Sequence, residues 1–280
     1  MNYRHIYHAG NFADVVKHIS LIHILDKLRY LHNKMEIIDG FAGAGLYELS
    51  SKEAKTTEES LSGVLALLNH NNLEAPKYII RYVNIIKKYF TAQAIIYPGS
   101  PLFIRDFLSS QDKAIYSELH EKDYNLLAKV LGKYSFDLNY KILKSDAYYV
   151  CQKFSNTDTN LILLDPPYEK KDEFVNLLTL LKGIIDKACN ATIMIWYPVK
   201  DYRQIISFYR ELALLNCKYL KIEFSTSYAS TNLQSNGIII INPPEIYQDL
   251  EESLEYLKHN IYQNKAIYTI GLIGPQSEKI

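Results

Sequence analysis

Short apolar runs alternate with longer amphipathic stretches along the whole chain, and this βα rhythm is what most narrows the folds available to it. Seven runs read as strands: 35–39, 114–118, 140–143, 161–165, 192–196, 219–224 and 237–241. Strands joined by helical crossovers pair in parallel. The expected fold is therefore α/β, an open sheet of seven mostly parallel strands with helices on its faces. Two runs end on an acidic residue, Asp39 and Asp165, and continue into a loop carrying glycine or proline. Open α/β sheets collect their ligands at such carboxyl ends.

The first run ends at Asp39 and the second begins at Ala114, a gap far wider than the dozen or so residues a simple crossover needs. Residues 46–95 read as a small helical insertion within one domain covering 1–280. The apolar spacing predicts helices over 61–68 and 77–89, and the charged stretch 52–60 reads as a mobile loop. Ahead of the first strand, residues 1–34 hold five Lys/Arg against two Asp, and five of the eight histidines. Residues 14–31 read as a helix with the apolar stripe Val15, Ile19, Ile22, Leu25 and Leu28, preceded by a polar, aromatic arm. No two of these histidines have a metal-ligand spacing, so no metal is expected. Tyrosine occurs 24 times, and residues such as Tyr78, Tyr82 and Tyr89 fall at helical spacing and read as half-buried.

Composition trims the functional classes. With 280 residues, 48% apolar and 22% charged, the chain is no disordered tail, collagen-like fibre or mucin-like stalk. Lys+Arg and Asp+Glu number 31 each, so the average charge favours no polyanion, although the basic first 34 residues offer local phosphate contacts. Cys151, Cys189 and Cys217 are odd in number and far apart, which suits neither a disulfide framework nor a zinc site; buried, reduced thiols are expected. The opening residues lack a basic end followed by an apolar run, and no apolar run approaches bilayer length. A cytoplasmic protein without a membrane segment is expected.

The chemistry concentrates at Asp165-Pro166-Pro167-Tyr168, directly after the apolar run 161–164. Two prolines stop the strand and stiffen its exit. An exocyclic adenine amine is a poor nucleophile because its lone pair is delocalised into the ring; to attack a methyl group it must become pyramidal, with both hydrogens held by acceptors. Asp165 would accept one, the Pro166 carbonyl the other, and Tyr168 would stack on the extruded base. The chain carries a second, weaker copy, Asn242-Pro243-Pro244-Glu245, which lacks the carboxylate and the aromatic and reads as a strand exit. The other signal is Asp39-Gly40-Phe41-Ala42-Gly43-Ala44-Gly45, where glycines permit close backbone approach to a ligand. Its spacing falls one residue short of the dinucleotide fingerprint. An acid leading the loop suits S-adenosylmethionine, which carries an ammonium, a sulfonium and ribose hydroxyls. Glu118, after the second strand, would hold the ribose, and Asp146, after the third, would accept from the cofactor's adenine amine.

These motifs together resemble the adenine-N6 amino-methyltransferases. More narrowly, Tyr3-Arg4-His5, His8-Ala9-Gly10-Asn11, Ala13-Asp14 and Lys17-His18 resemble the N-terminal signature of the RlmJ family, bacterial S-adenosylmethionine-dependent enzymes that methylate adenine N6 in 23S ribosomal RNA. Tyr97-Pro98-Gly99-Ser100-Pro101, Glu118-Leu119-His120, Trp196-Tyr197-Pro198 and Asn242-Pro243-Pro244 match in order. The resemblance implies a Rossmann-like class I methyltransferase fold. It implies a cofactor site lined by His18, Phe41, Gly43, Gly45, Ser100, Glu118, Asp146, Ala147 and Asp165, with Asp165, Pro166 and Tyr168 at the reacting amine. Tyr3 would touch the RNA, with His5 and Lys17 nearby. Many family members carry histidine where this chain has Phe41, so any side-chain contact made there is absent.

The implied partner is 23S ribosomal RNA, met by a monomer with no obligate protein partner and no membrane. Three other readings remain at this stage. The same tetrapeptide serves DNA adenine-N6 or cytosine-N4 methylation; a non-catalytic RNA-binding protein could keep the fold; and a dinucleotide oxidoreductase is disfavoured by the loop spacing.

Overall fold

The computed structural model describes residues 4–71, 74–135, 137–187, 190–227 and 233–275. Tyr3 and Cys189, both singled out above, lie outside the described residues. The strands are β1 Glu36–Asp39, β2 Leu46–Glu48, β3 Ile96–Pro98, β4 Lys113–Ser117, β5 Asn139–Leu143, β6 Leu161–Leu164, β7 Thr192–Pro198, β8 Tyr219–Thr226, β9 Ser235–Ile241 and β10 Ala266–Ile273. The α-helices are α1 Phe12–Leu31, α2 Lys52–Thr57, α3 Val64–Asn69, α4 Lys77–Lys87, α5 Ser100–Arg105, α6 Glu121–Tyr134, α7 Ala147–Phe154, α8 Glu173–Ile185, α9 Tyr202–Ala213 and α10 Tyr247–Tyr256. No helix among the described residues is long and apolar enough to cross a membrane.

All seven expected strands form, but the main sheet has eight, ordered β10-β8-β9-β7-β6-β1-β4-β5. β5, β4, β1, β6 and β7 run parallel. β9 inserts antiparallel between β7 and β8, and β10 closes that edge antiparallel to β8. The eighth strand escapes the sequence pattern because edge residues face water: Ile267 and Leu272 are exposed within an otherwise strand-like stretch that includes Gly271. Inner strands such as β6, buried at every residue, instead read as unbroken apolar runs.

Side chains alternate between two cores, as the twofold strand repeat requires. Ile37, Leu161, Leu163, Ile238 and Ile240 face a layer built on α1, α4, α5 and α10. Ile38, Ile162, Leu164, Ile239 and Ile241 face α7, α8 and α9. Helix α1 is more deeply placed than a one-sided stripe suggests, because every residue from Phe12 to Leu25 is buried, His18 and His23 included. Tyr78, Tyr82 and Tyr89 are likewise buried, Tyr82 completely, and not half-buried.

The segment between β1 and β4 opens and closes on an antiparallel ribbon, β2 against β3. Between them the expected loop 52–60 is ordered helix: Ser51 caps α2 through its side chain, and a 3-10 turn Glu59–Ser62 follows. The helix expected over 61–68 is broken at Gly63, where an added Cβ would stand 2.1 Å from the Gly10 carbonyl oxygen. Val64 N–H donates to that same carbonyl at 2.8 Å, so the insertion is stitched to the start of α1.

The sheet order also locates the binding edge. The chain moves outward from β1 through β4 to β5, then returns to β6 on the other side of β1. This reversal opens a crevice at the carboxyl ends of β1, β4 and β6, the usual ligand position in an open α/β sheet.

Candidate active site

The loop after β1 is bent by two glycines in left-handed conformation, Gly43 at φ +64° and Gly45 at φ +80°. At Gly43 a side chain is also excluded sterically, since a Cβ would lie 2.2 Å from the Tyr47 hydroxyl. The loop is tied to the end of β4: Ala42 N–H donates to the Ser117 carbonyl at 2.9 Å, and Gly43 N–H donates to Glu118 Oε2 at 2.9 Å. Glu118 Oε1 accepts the His120 N–H at 2.7 Å. Burial pushes the Glu118 carboxyl up, and these two backbone donors offset part of that rise. Asp39, wholly buried below the loop, accepts from Ser100 Oγ at 2.7 Å and from Phe41 N–H at 3.3 Å. Burial outweighs both donors and pushes its carboxyl up to about 7.

The crevice above this loop is lined by His5, Lys17, His18, Phe41, Gly43, Ser100, Glu118, Asp146, Ala147 and Asp165, ten of the residues expected from sequence. They come from α1, the β1 loop, α5, and the ends of β4, β5 and β6. Asp146 also caps α7, accepting the Tyr149 N–H at 3.1 Å. Phe41 meets Tyr148 edge-on, with ring centroids 5.9 Å apart.

Three expected residues do not line the crevice. Gly45 turns away from it, and its Cα side faces Leu127 and Val130 of α6. Pro166 is buried. Tyr168, at φ +51°, packs against Phe174 and Trp196 and donates its hydroxyl to the Trp196 carbonyl at 2.7 Å. Pro167, Glu169 and Lys170 stand at the rim instead.

The most consequential addition is Asp14. Its carboxylate accepts from Gly10 N–H at 2.8 Å, lies 2.9 Å from His5 Nε2 and forms an ion pair of 2.7 Å with Lys17. Lys17 reaches onward to Asp165 Oδ2 at 2.5 Å. Burial opposes charge on both members of the Asp14–Lys17 pair, yet their partners prevail: His5 and Lys17 hold the Asp14 carboxyl well below its ordinary value, and Asp14 and Asp165 raise the Lys17 ammonium. The N-terminal motif builds this arrangement. Asn11 caps α1 by accepting the Asp14 N–H at 2.9 Å, and its amide donates to Glu59 Oε2 at 2.9 Å, where His8 also docks at 3.1 Å. Gly10, at φ +75°, turns the arm onto the helix.

His18 is buried and stacked on Phe103 with centroids 4.5 Å apart. Burial and the neighbouring Lys17 push its imidazole well below the ordinary histidine range, so the ring is neutral. Its Nδ1 lies 2.6 Å from the Tyr97 hydroxyl, while Nε2 is buried with no hydrogen-bond partner among the described residues. Sequence reasoning also passed over Leu119, which lines the crevice at 51% exposure beside Glu118, and Tyr148, which follows Asp146-Ala147. An exposed apolar residue immediately after an acidic strand end was the available signal for Leu119.

Comparison with known proteins identifies the family. Residues 32–273 match the family model described as "Ribosomal RNA large subunit methyltransferase D, RlmJ". The chain is 34% identical to the ribosomal RNA large subunit methyltransferase J of Haemophilus influenzae, over 99% of this chain and all of that one. It is 32% identical to the protein of the same name from Escherichia coli, over 92% of each. A crystal structure of a protein from Legionella pneumophila superposes with a TM-score of 0.86 at 28% identity, covering 96% of this chain and 99% of the other. The crevice at the reversal of the sheet is thus carried by a chain that belongs to the RlmJ family of ribosomal RNA large subunit methyltransferases.

Proposed function

We propose that the protein transfers a methyl group from S-adenosylmethionine to the N6 amine of a specific adenine in 23S ribosomal RNA. The observation that carries this reading is the placement of Asp165, at the end of β6, in one crevice with the Gly43 loop, Glu118 and Asp146. The donor set suits the cofactor: Glu118 for ribose hydroxyls, Asp146 and the Ala147 backbone for the adenine edge, and the unpartnered His18 Nε2 for a polar group at the other end. When bound, S-adenosylmethionine supplies an electrophilic methyl on a positively charged sulfur.

The chain's own work is positioning, which can contribute several kcal/mol to a transfer of this kind. Asp165 accepts a hydrogen from the target amine and Lys17 fixes the carboxylate that does so. The Pro166 carbonyl, next to Asp165 but outside the crevice lining, is the acceptor for the second hydrogen, which leaves the nitrogen lone pair directed at the methyl. Tyr168 stands outside the crevice lining, and the part of its ring that Phe174 and Trp196 leave uncovered is what it offers to the extruded base, held in place through its hydroxyl. Lys170 at the rim and the basic first turns of the chain supply phosphate contacts, and Tyr3 and His5 lie on that side in sequence. The whole chain acts as one catalytic unit, as a monomer in the cytoplasm.

The test supplies labelled S-adenosylmethionine with unmodified 23S RNA or with duplex DNA, then digests to nucleosides. Label in N6-methyladenosine from RNA alone is expected. Label from DNA alone would replace the polymer, and label in another nucleoside would replace the base.

A further inference from the structure

His18 is half of a question that the crevice alone does not answer: a neutral imidazole presents either a donor or an acceptor at Nε2, depending on where its single proton sits. The hydrogen bonds beneath it decide. Tyr97 OH lies 2.6 Å from His18 Nδ1, and Tyr82 OH lies 3.1 Å from Tyr97 OH. All three side chains are at most 1% exposed. No further partner for either hydroxyl is found among the described residues.

Two directions are open to this chain of protons. If His18 Nδ1–H donates to Tyr97 and Tyr97 to Tyr82, the Tyr82 proton is left buried with no acceptor. If Tyr82 donates to Tyr97 and Tyr97 to His18 Nδ1, both hydroxyl protons are used, and the imidazole proton sits on Nε2, where no group of the described residues accepts it. Alone, each direction strands one buried donor, at about 1–3 kcal/mol; once a ligand group meets Nε2, the first direction still strands the Tyr82 proton and the second strands none, so the second prevails in the loaded crevice. The edge of the ring turned away from Tyr97 carries Nε2, and His18 lines the crevice.

We infer that Tyr82 and Tyr97 are positioning residues that lock His18 as an Nε2–H donor and thereby dedicate this end of the crevice to a carboxylate. The inference rests on the S-adenosylmethionine reading, whose amino-acid end carries that carboxylate. The helical segment between β2 and β3, through Tyr82 of α4, and the β3 strand, through Tyr97, thus acquire a part in ligand recognition although Tyr82 does not touch the crevice.

Two measurements test this together. In protein labelled with nitrogen-15 at histidine and saturated with S-adenosylhomocysteine, the His18 signals, identified by their loss in His18→Gln, should show a pyrrole-type Nε2 and a pyridine-type Nδ1. By calorimetry, Tyr97→Phe should weaken S-adenosylhomocysteine about tenfold, part of the contribution expected of a hydrogen bond to a charged group. The same variant should bind 5′-deoxy-5′-methylthioadenosine, which lacks the amino-acid end, as wild type does; Tyr82→Phe should act in the same direction more weakly. An Nδ1–H tautomer, or equal weakening toward both ligands, would overturn the relay. Wild-type protein that binds both ligands with Tyr97→Phe unchanged toward each would also overturn the relay and leave the cofactor reading standing. Wild-type protein that binds neither ligand would overturn the cofactor reading and the carboxylate assignment with it.

Discussion

Lys17→Met removes a charge from the point where the N-terminal helix meets the end of β6, and the structure fixes how costly that should be. Lys17 Nζ lies 2.7 Å from Asp14 Oδ1 and 2.5 Å from Asp165 Oδ2, with side chains only 5%, 3% and 19% exposed. Methionine keeps the length and much of the volume of the lysine stem but strands two carboxylates side by side. Removing one partner from a buried ion pair costs about 3–5 kcal/mol. A chain of this length melts with an entropy of about 0.6 kcal/mol/K, at about 2.1 cal/mol/K per residue, so the melting temperature should drop by about 5–8 °C. Asp165→Asn should differ in kind. Lys17 keeps Asp14, stability changes by about 1 kcal/mol or less, and methyl transfer is lost. The double variant should recover part of the Lys17→Met loss, because it removes the stranded carboxylate. Asp14 adds a pH signature: its carboxyl is held well below the ordinary carboxylate range by His5 and Lys17 against the opposing effect of burial. The stability it contributes is therefore present above the ordinary carboxylate range and drains as the pH falls, and Lys17→Met should move that acid limb to higher pH. Scanning calorimetry with a labelled-methyl assay on RNA measures all of this. A Lys17→Met protein that melts within about 1 °C of wild type would refute the buried ion pair, and Asp165→Asn with full activity would remove Asp165 from the chemistry.

Other parts of the site make separate claims. Asp39, with its carboxyl at about 7, keeps a proton in the folded chain that the unfolded chain has lost, so stability should fall as the pH rises from about 4 to about 7, by at most about 1.4 kcal/mol per unit. Denaturant titrations of Asp39→Asn across that window should show the fall abolished. Glu118→Gln keeps an acceptor for only one of Gly43 N–H and His120 N–H, turns an amide donor on the other, and loses the negative charge facing the crevice; S-adenosylhomocysteine affinity should drop about tenfold by calorimetry, with a stability loss of about 1–3 kcal/mol. Gly43→Ala should cost about 1–3 kcal/mol from its positive φ and its collision with the Tyr47 hydroxyl. Adding Tyr47→Phe should return the steric share of that loss, and no rescue would place the whole cost in the backbone.

The fold was legible wherever burial is two-sided, and beyond that only at the edge strand β5, which has no buried residue but keeps a short apolar pattern at 140–143. β1, β4, β6, β7, β8 and β9 announce themselves because their residues are apolar on both faces or in strict alternation. β10 hides because half its side chains face water, and the short β2 and β3 hide because a three-residue ribbon has no room for a pattern. The order of 52–60 was invisible for another reason: its charged composition reads as solvated, yet Glu59 is only 8% exposed and holds both Asn11 and His8 from across the fold. Local sequence carries no trace of such a partner. In the site, strand-end acids and loop glycines were readable because each obeys a local rule. Asp14 was not, since an acid in the first turn of a helix looks like an ordinary favourable interaction with the helix dipole.

The two proline pairs show why topology, and not the motif, assigns the chemistry. Asp165-Pro166-Pro167-Tyr168 and Asn242-Pro243-Pro244-Glu245 both follow buried apolar strands and look like variants of one device. β6 runs parallel to β1, so its exit opens at the same edge as the Gly43 loop. β9 runs antiparallel to β7, so its exit lies at the opposite edge, where the Asn242 amide donates to the Ala191 carbonyl at 3.2 Å and Thr192 Oγ1 donates to the Asn242 carbonyl at 2.9 Å. The second copy thus spends its polar groups on the start of β7 and stands a full strand length from the crevice. Strand direction is decided by long-range pairing, which a tetrapeptide cannot encode, and it separates a crevice residue from a strand exit more sharply than the missing carboxylate does.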